Sequence, residues 1–320
     1  MIKKLTASLL ILIIAATGLC ACGDTQGKTD RLQIVCTVFP YYDWVRNLTE
    51  GVEDADITLL LDSGTDLHSY QPAAKDIVTI SSADLFIYTD GTSDKWVTDV
   101  LSSSQNDSTV ILPLMTNLPE ESLFCVEAIG EEEHHHEEGE EHSHAHDEHI
   151  WLSLKNAMKL CENIKNVLCD IDSENAEIYK ANFIKYHSEL QKLDEAYSRT
   201  LSSCQKNTVV FADRFPFIYL INDYGLSYHA AFSGCSAESE ASFETVKRLA
   251  DEIDTLGLTH ILITETSDGS VAKTVKDSTK EKNQEILVLN ALQSVTKENL
   301  ADSYIEVMTE NLAILKEALS

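Results

Sequence analysis

The chain has 320 residues, 43% hydrophobic and 24% charged, with a formal net charge of −29. That composition belongs to a globular protein with a sizeable core and excludes a fibrous or wholly disordered chain. The acidity argues against nucleic acid, whose phosphates require Lys- and Arg-lined surfaces, and favours cationic ligands.

At the N-terminus, Lys3 and Lys4 precede an apolar stretch, Leu5 to Ala16, that is too short to span a bilayer. Leu19-Cys20-Ala21-Cys22 follows and resembles the lipobox of bacterial lipoproteins. Residues 1–21 are accordingly expected to be a signal peptide, with Cys22 the lipidated first residue and 22–31 a tether. The body would lie outside the cytoplasm, held to the bacterial cell membrane by lipid. The remaining cysteines, Cys36, Cys125, Cys161, Cys169, Cys204 and Cys235, show no paired short spacing of the zinc-finger kind.

After the tether, β and α patterns alternate. Strands are expected at Leu32 to Phe39, Asp56 to Leu61, Leu85 to Thr89 and Val110 to Leu114. Helices are expected after Pro40, from Ala73 to Ser82, near Lys95 to Leu101, and from Leu154 to Leu168. Between the last strand and the last helix lies EEEHHHEEGEEHSHAHDEHIW, residues 131–151. It carries seven of the eleven histidines (His134, His135, His136, His142, His144, His146 and His149) and nine carboxylates. Nothing before its end could join a core, so it is expected to be a solvated loop. Imidazole at every second or third position suits zinc, copper or nickel, and the carboxylates add oxygen donors.

Ser173 to Leu201 contains neither Gly nor Pro and is expected to be one long helix, a strut rather than a coiled-coil seam. The alternation then restarts. Strands are expected at Thr208 to Ala212, Leu226 to Phe232, His260 to Thr264 and Glu285 to Asn290. Helices are expected at Phe215 to Tyr224, Ser242 to Thr255, Val271 to Thr279 and Thr296 to Leu319. The fold class is therefore α/β: two Rossmann-like lobes with mostly parallel sheets, joined by one long helix, with a ligand cleft between the lobes. The expected division is an N-terminal lobe at 32–172 that includes the His- and acid-rich loop 131–149, a linker helix at 173–203, and a C-terminal lobe at 204–320.

The lipobox, the segment LHSYQP, the long helix between two α/β lobes, the acidic His-rich loop and DEHIWLSLKNA together resemble the metal-binding solute-binding lipoproteins of ABC importers. The loop points to the zinc-uptake branch. The resemblance implies a receptor that binds Zn²⁺ (with Mn²⁺ as the alternative) and passes it to an ABC permease and its ATPase. The same resemblance implies that the cleft is a metal cleft and that the joining helix is rigid. It implies metal ligation by His68, in the loop closed by Pro72, and by His149, where the flexible run meets Ile150, Trp151 and Leu152. The third ligand position lies about ten residues before Tyr224-Gly225-Leu226, and here it holds Arg214, which cannot ligate a cation. Asp213 is the nearest candidate to take the role; Glu240, Cys235, His229 or a loop histidine are rivals. The fourth position falls on Glu265 or Asp268, after the strand HILIT. His187 and His260 are expected to be structural. Two further readings stay open: the same fold tuned to Mn²⁺ or Fe²⁺, and a surface metal-buffering or adhesion lipoprotein. A secreted metallohydrolase is disfavoured, because it would need a substrate pocket and a metal-bound water of lowered pKa, which nothing in the sequence asks for. Nor does the chain hold a Ser-His-Asp order, phosphate loop or H-E-x-x-H pattern to contradict the receptor reading.

Overall fold

A computed structural model describes residues 31–103, 106, 108–125, 146–234, 240–296 and 302–320. Cys22, Cys235 and the loop histidines His134, His135, His136, His142 and His144 lie outside the described residues.

The first lobe is built on four parallel strands, β1 (Leu32–Cys36), β2 (Ala55–Leu59), β3 (Leu85–Tyr88) and β4 (Val110–Pro113), in the order β2-β1-β3-β4. Helices α1 (Phe39–Leu48), α2 (Ala74–Ser81), α3 (Trp96–Ser103) and α4 (Leu154–Ile171) belong to the same half of the chain. Pro40 sits in the first turn of α1, where its missing N–H costs nothing, and the Ser153 hydroxyl caps α4 through the Asn156 amide.

Helix α5 (Ala176–Ser202) joins the halves; its 27 residues span about 40 Å. The continuous helix expected from Ser173 begins instead with a 3₁₀ turn, Ser173–Asn175. The Asp172 carboxylate accepts from Asn175 Nδ2 at 2.8 Å and from the Tyr179 hydroxyl, which tightens the chain there before α5 starts. The front of α5 packs on the first lobe, where Asn182 donates to the carbonyls of Leu48 and Glu50. Its rear meets the second lobe, where the Tyr197 hydroxyl donates to the Met308 carbonyl and Tyr224 donates to Asp194.

The second lobe repeats the plan, with β5 (Thr208–Phe215), β6 (Ser227–Ser233), β7 (His260–Thr264) and β8 (Glu285–Leu289) in the order β6-β5-β7-β8, all pairings parallel. Helices α6 (Ile218–Asp223), α7 (Phe243–Leu256), α8 (Ser270–Ser278) and α9 (Tyr304–Ala318) accompany it. Ser242 caps α7 and Gly257 ends it in the left-handed conformation (φ 60°). Ser303 and Glu306 form a capping box that starts α9, well after the expected Thr296. Strand β5 runs three residues past the expected Ala212, because a bulge between Phe211 and Arg214 lets the polar pair Asp213-Arg214 continue the strand.

Each sheet reverses its strand order between a central pair, β1/β3 and β5/β7, and in open α/β sheets ligands bind beyond the carboxyl ends of strands at such points. The lobes are tied together densely. One buried apolar cluster runs from Ile34 through Trp151 to Leu315, and a smaller one (Val210, Leu249, Ile253) serves the second lobe alone. Trp151 Nε1 donates to the Ala291 carbonyl, and the Tyr304 hydroxyl donates to the Trp151 carbonyl. The amide of Tyr304 reaches the buried Asp43 of α1. Among the described residues, no helix is long and apolar enough to cross a membrane.

Candidate metal centre

His68 sits in a short 3₁₀ turn, Leu67–Ser69, beyond β2. Asp66 caps that turn, its Oδ1 accepting from the His68 amide at 2.9 Å. Beyond β3, Gly91, Thr92 and Ser93 bring a hydroxyl to His68: Nδ1 lies 2.8 Å from Ser93 Oγ and 3.0 Å from Glu148 Oε1. Ser93 in turn donates to Glu148 from its hydroxyl (2.6 Å) and its amide (2.9 Å). Gly91 is required here, since a Cβ at this position would stand 2.3 Å from Glu148 Oε2.

His149 arrives from the other end of the loop. Its amide and its Nδ1 both bind Asp147 Oδ1, at 2.9 and 2.8 Å. Asp147 is fixed by the Tyr219 hydroxyl of the second lobe, which donates to its carbonyl, and by close approach of Gly234, where a Cβ would lie 3.1 Å from Asp147 Oδ2. The following residues, Ile150, Trp151 and Leu152, are fully buried and anchor the turn.

The two imidazoles meet edge to face, with ring centroids 5.3 Å apart and planes inclined by 68°. Each has its Nδ1 on a carboxylate, and each has a buried Nε2 without a hydrogen-bond partner. A carboxylate behind Nδ1 fixes the tautomer that leaves Nε2 as a lone-pair donor, the arrangement of histidines that hold metals. An orphaned nitrogen of this kind would otherwise be costly in so buried a place.

The electrostatics favour a cation. Burial would raise Glu148, but His68, His149 and the Ser93 donors outweigh it and hold its carboxyl down at about 2. For His149 burial pulls the pKa down, and Asp147, Glu148 and Asp66 more than reverse this, leaving it raised. Asp94, buried and facing the Glu148 charge, is pushed up to about 7. Cavities of about 470 and 730 Å³ are lined by other residues.

The second lobe presents its polar groups differently. The bulge turns Asp213 along the sheet, where Oδ2 accepts from the amide and hydroxyl of Thr264 (2.9 and 2.7 Å) and Oδ1 from the Arg214 amide. Glu265 is drawn into the loop beyond β8, accepting from the amides of Ala291 and Gln293; burial still leaves its pKa raised. Asp268 is at the surface, where the Ser270 amide lowers its pKa. The three carboxylates named from the sequence therefore have their oxygens on donors of their own lobe, and the structure does not bring them onto the two imidazoles. Arg214 crosses the cleft, its guanidinium 2.9 Å from Asp66 Oδ2.

Of the other candidates, His229 lies 3.6 Å from Glu252 on the outside of the second lobe, and Glu240 is exposed. His187 packs on Phe183, and His260 begins β7, opposite the cleft, beside Glu285 and Glu317. His146 closes the root of the loop, paired with Cys125 across an isolated bridge, its Nε2 3.1 Å from Glu120. Sequence reasoning missed Ser93, Asp147 and Glu148 as supports. A Gly-Thr-Ser turn at a strand end was the signal for the first; the two acids were hidden at the end of an acidic, histidine-rich run.

The chain is similar to proteins already known. A zinc-binding lipoprotein, AdcA, of Streptococcus pneumoniae (strain ATCC BAA-255 / R6) is 32% identical over 313 residues, covering 97% of this chain and 60% of that protein. The chain thus spans about 60% of the length of AdcA. The high-affinity zinc uptake system protein ZnuA of Bacillus subtilis (strain 168) is 30% identical over 317 residues, covering 98% of this chain and 95% of the other. The crystal structure of the Zn(II)-bound ZnuA-like domain of Streptococcus pneumoniae AdcA superposes with a TM-score of 0.71 at 28% identity, covering 90% of this chain and 99% of that one. The family model described as zinc-uptake complex component A, periplasmic, matches residues 34–318, and the chain belongs to that family, ZnuA.

Proposed function

We propose that the protein is an extracytoplasmic zinc receptor. It captures Zn²⁺ in the cleft on His68 Nε2 and His149 Nε2 and delivers it to an ABC-type permease, its body tethered to the membrane by lipid on Cys22. The observation that carries this is the pair of adjacent imidazoles whose buried Nε2 atoms lack partners while Glu148 and Asp147 occupy both Nδ1 atoms. Two imidazole nitrogens with nearby carboxylate suit the four-coordinate N/O sets of zinc. Capture and release of an ion need no nucleophile or general base. The His-rich run 131–146 would collect ions and pass them to the cleft. The relatives support the reading through their names, a zinc-binding lipoprotein and a high-affinity zinc uptake protein.

Asp213, Glu265 and Asp268 are read here as supports of the second lobe. Arg214, where the family pattern places a ligand, leaves a donor set poorer in nitrogen, which favours a second reading in which Mn²⁺ or Fe²⁺ is preferred. Calorimetric titration of the metal-stripped mature protein with Zn²⁺ and Mn²⁺, beside a variant lacking 131–146, tests both. One tight zinc site that survives the deletion is expected. Tight binding that disappears with the loop would make the protein a metal buffer, and a manganese preference would establish the second reading.

A further inference from the structure

At the end of the second lobe opposite the cleft, three metal-ligating side chains converge from three elements. His260 begins β7 and Glu285 begins β8, and the two are register partners in a parallel pair, so their side chains leave the sheet on the same face. The Glu285 amide donates to the Thr259 carbonyl at 2.9 Å, which fixes the two strand starts against each other. Glu317 reaches them from the last turn of α9. One ligand atom from each of the three residues lies within 4.8 Å of the other two.

The imidazole is oriented for ligation. His260 Nδ1 lies 3.0 Å from the Thr259 hydroxyl, and an Nδ1–H donated to that oxygen leaves the lone pair on Nε2. Nε2 stands 4.0 Å from Glu317 Oε1, too far for a hydrogen bond. A tetrahedral zinc with bonds of about 2.1 Å holds its ligand atoms about 3.4 Å apart, so small rotations of two exposed glutamate side chains close the gap. The charge around the group is one-sided. Two carboxylates meet at the C-terminal end of a helix, whose last carbonyls add partial negative charge. Among the described residues neither carboxylate pairs with a lysine or arginine, Lys316 of the same turn included. Like charges gathered in this way disfavour one another, and a divalent ion between them removes that cost.

We propose that His260, Glu285 and Glu317 form a second Zn²⁺ site, separate from the cleft, with water completing the coordination. One imidazole with two carboxylates is a donor set that zinc accepts. Three donors, two of them at the surface, give a site that fills when zinc is plentiful. The bound ion pins the last turn of α9 to the starts of β7 and β8, and because it binds the folded chain it stabilises the second lobe by mass action.

The test follows the imidazole resonances of the ¹⁵N-histidine-labelled full mature chain during titration with Zn²⁺, for wild type, Glu285→Gln, Glu317→Gln and His68→Ala, with His260→Gln assigning the signal. The His260 signal of the wild type is expected to shift with a micromolar half-point. Each glutamate variant should raise that half-point about tenfold or more, and His68→Ala should leave it within about twofold. Zn²⁺ should also raise the unfolding temperature of His68→Ala by more than that of His68→Ala/His260→Gln, a comparison in which the cleft and the histidine-rich run contribute equally. A His260 signal that stays in place up to millimolar Zn²⁺, that moves as in wild type in both glutamate variants, or that moves only while His68 is present overturns the inference.

Discussion

The two sides of the cleft use similar residue types in opposite ways. On the first-lobe side, Ser93, Glu148 and Asp147 end on the Nδ1 atoms of His68 and His149, and each chain of polar contacts stops at a bare Nε2. On the second-lobe side, Asp213 ends on Thr264 and Glu265 ends on the Ala291 and Gln293 amides, so those chains close on themselves. An unfinished chain in a buried place is stable only if something completes it, whereas a finished one is architecture. Residue type alone does not show which lone pairs are left open; the destination of each does.

The sharpest way to break that comparison is to remove an unfinished end. His68→Ala or His149→Ala should weaken zinc binding by roughly 100-fold or more, since each deletes one of few donors to the ion. Chelator competition reads this directly, and affinity within threefold of wild type would move the site elsewhere. A smaller loss is expected one step back. Glu148→Gln, and Gly91→Ala through the clash of its new Cβ with Glu148 Oε2, should each cost about 10- to 100-fold in affinity, with the imidazoles still present. Equal losses in the two variants would show that Gly91 acts through Glu148; full affinity in Gly91→Ala would show that the loop yields. The smallest effect on binding belongs to the closed side. Glu265→Gln turns an amide N–H₂ toward a backbone N–H and should cost about 1–3 kcal/mol of stability, read by denaturant unfolding. Its zinc affinity should stay within about threefold, and a larger loss would return Glu265 to the ligand set.

Much of the fold was legible in the chain because period and punctuation are local. Apolar runs of four to eight residues between helical patterns located each of the eight strands, and the Gly- and Pro-free stretch after Ser173 located α5. Boundaries slipped where a side chain decided them. Asp172 tightened the start of the long helix, and a bulge carried β5 through Asp213 and Arg214, which read as a strand end. The site was legible in part. His68 stood out in a loop closed by Pro72, and His149 at an abrupt change from low complexity to apolar sequence. The supports did not stand out, since Ser93 lies 25 residues from the histidine it touches.

By itself the sequence determined two parallel α/β lobes, a strut between them, an acidic histidine-rich insertion and the two imidazoles placed beyond strands. Those follow from periodicity, glycine and proline placement and side-chain chemistry, each confined to a short window of chain. Only the tertiary structure decided which carboxylates stand behind the imidazoles, that Asp213 and Glu265 accept from donors of their own lobe, and that Arg214 meets Asp66 across a separation of 148 residues. Such pairings depend on where the β5 bulge and the strand ends place side chains in three dimensions. A carboxylate looks the same in sequence whether its oxygens finish on a backbone amide, an arginine or a metal.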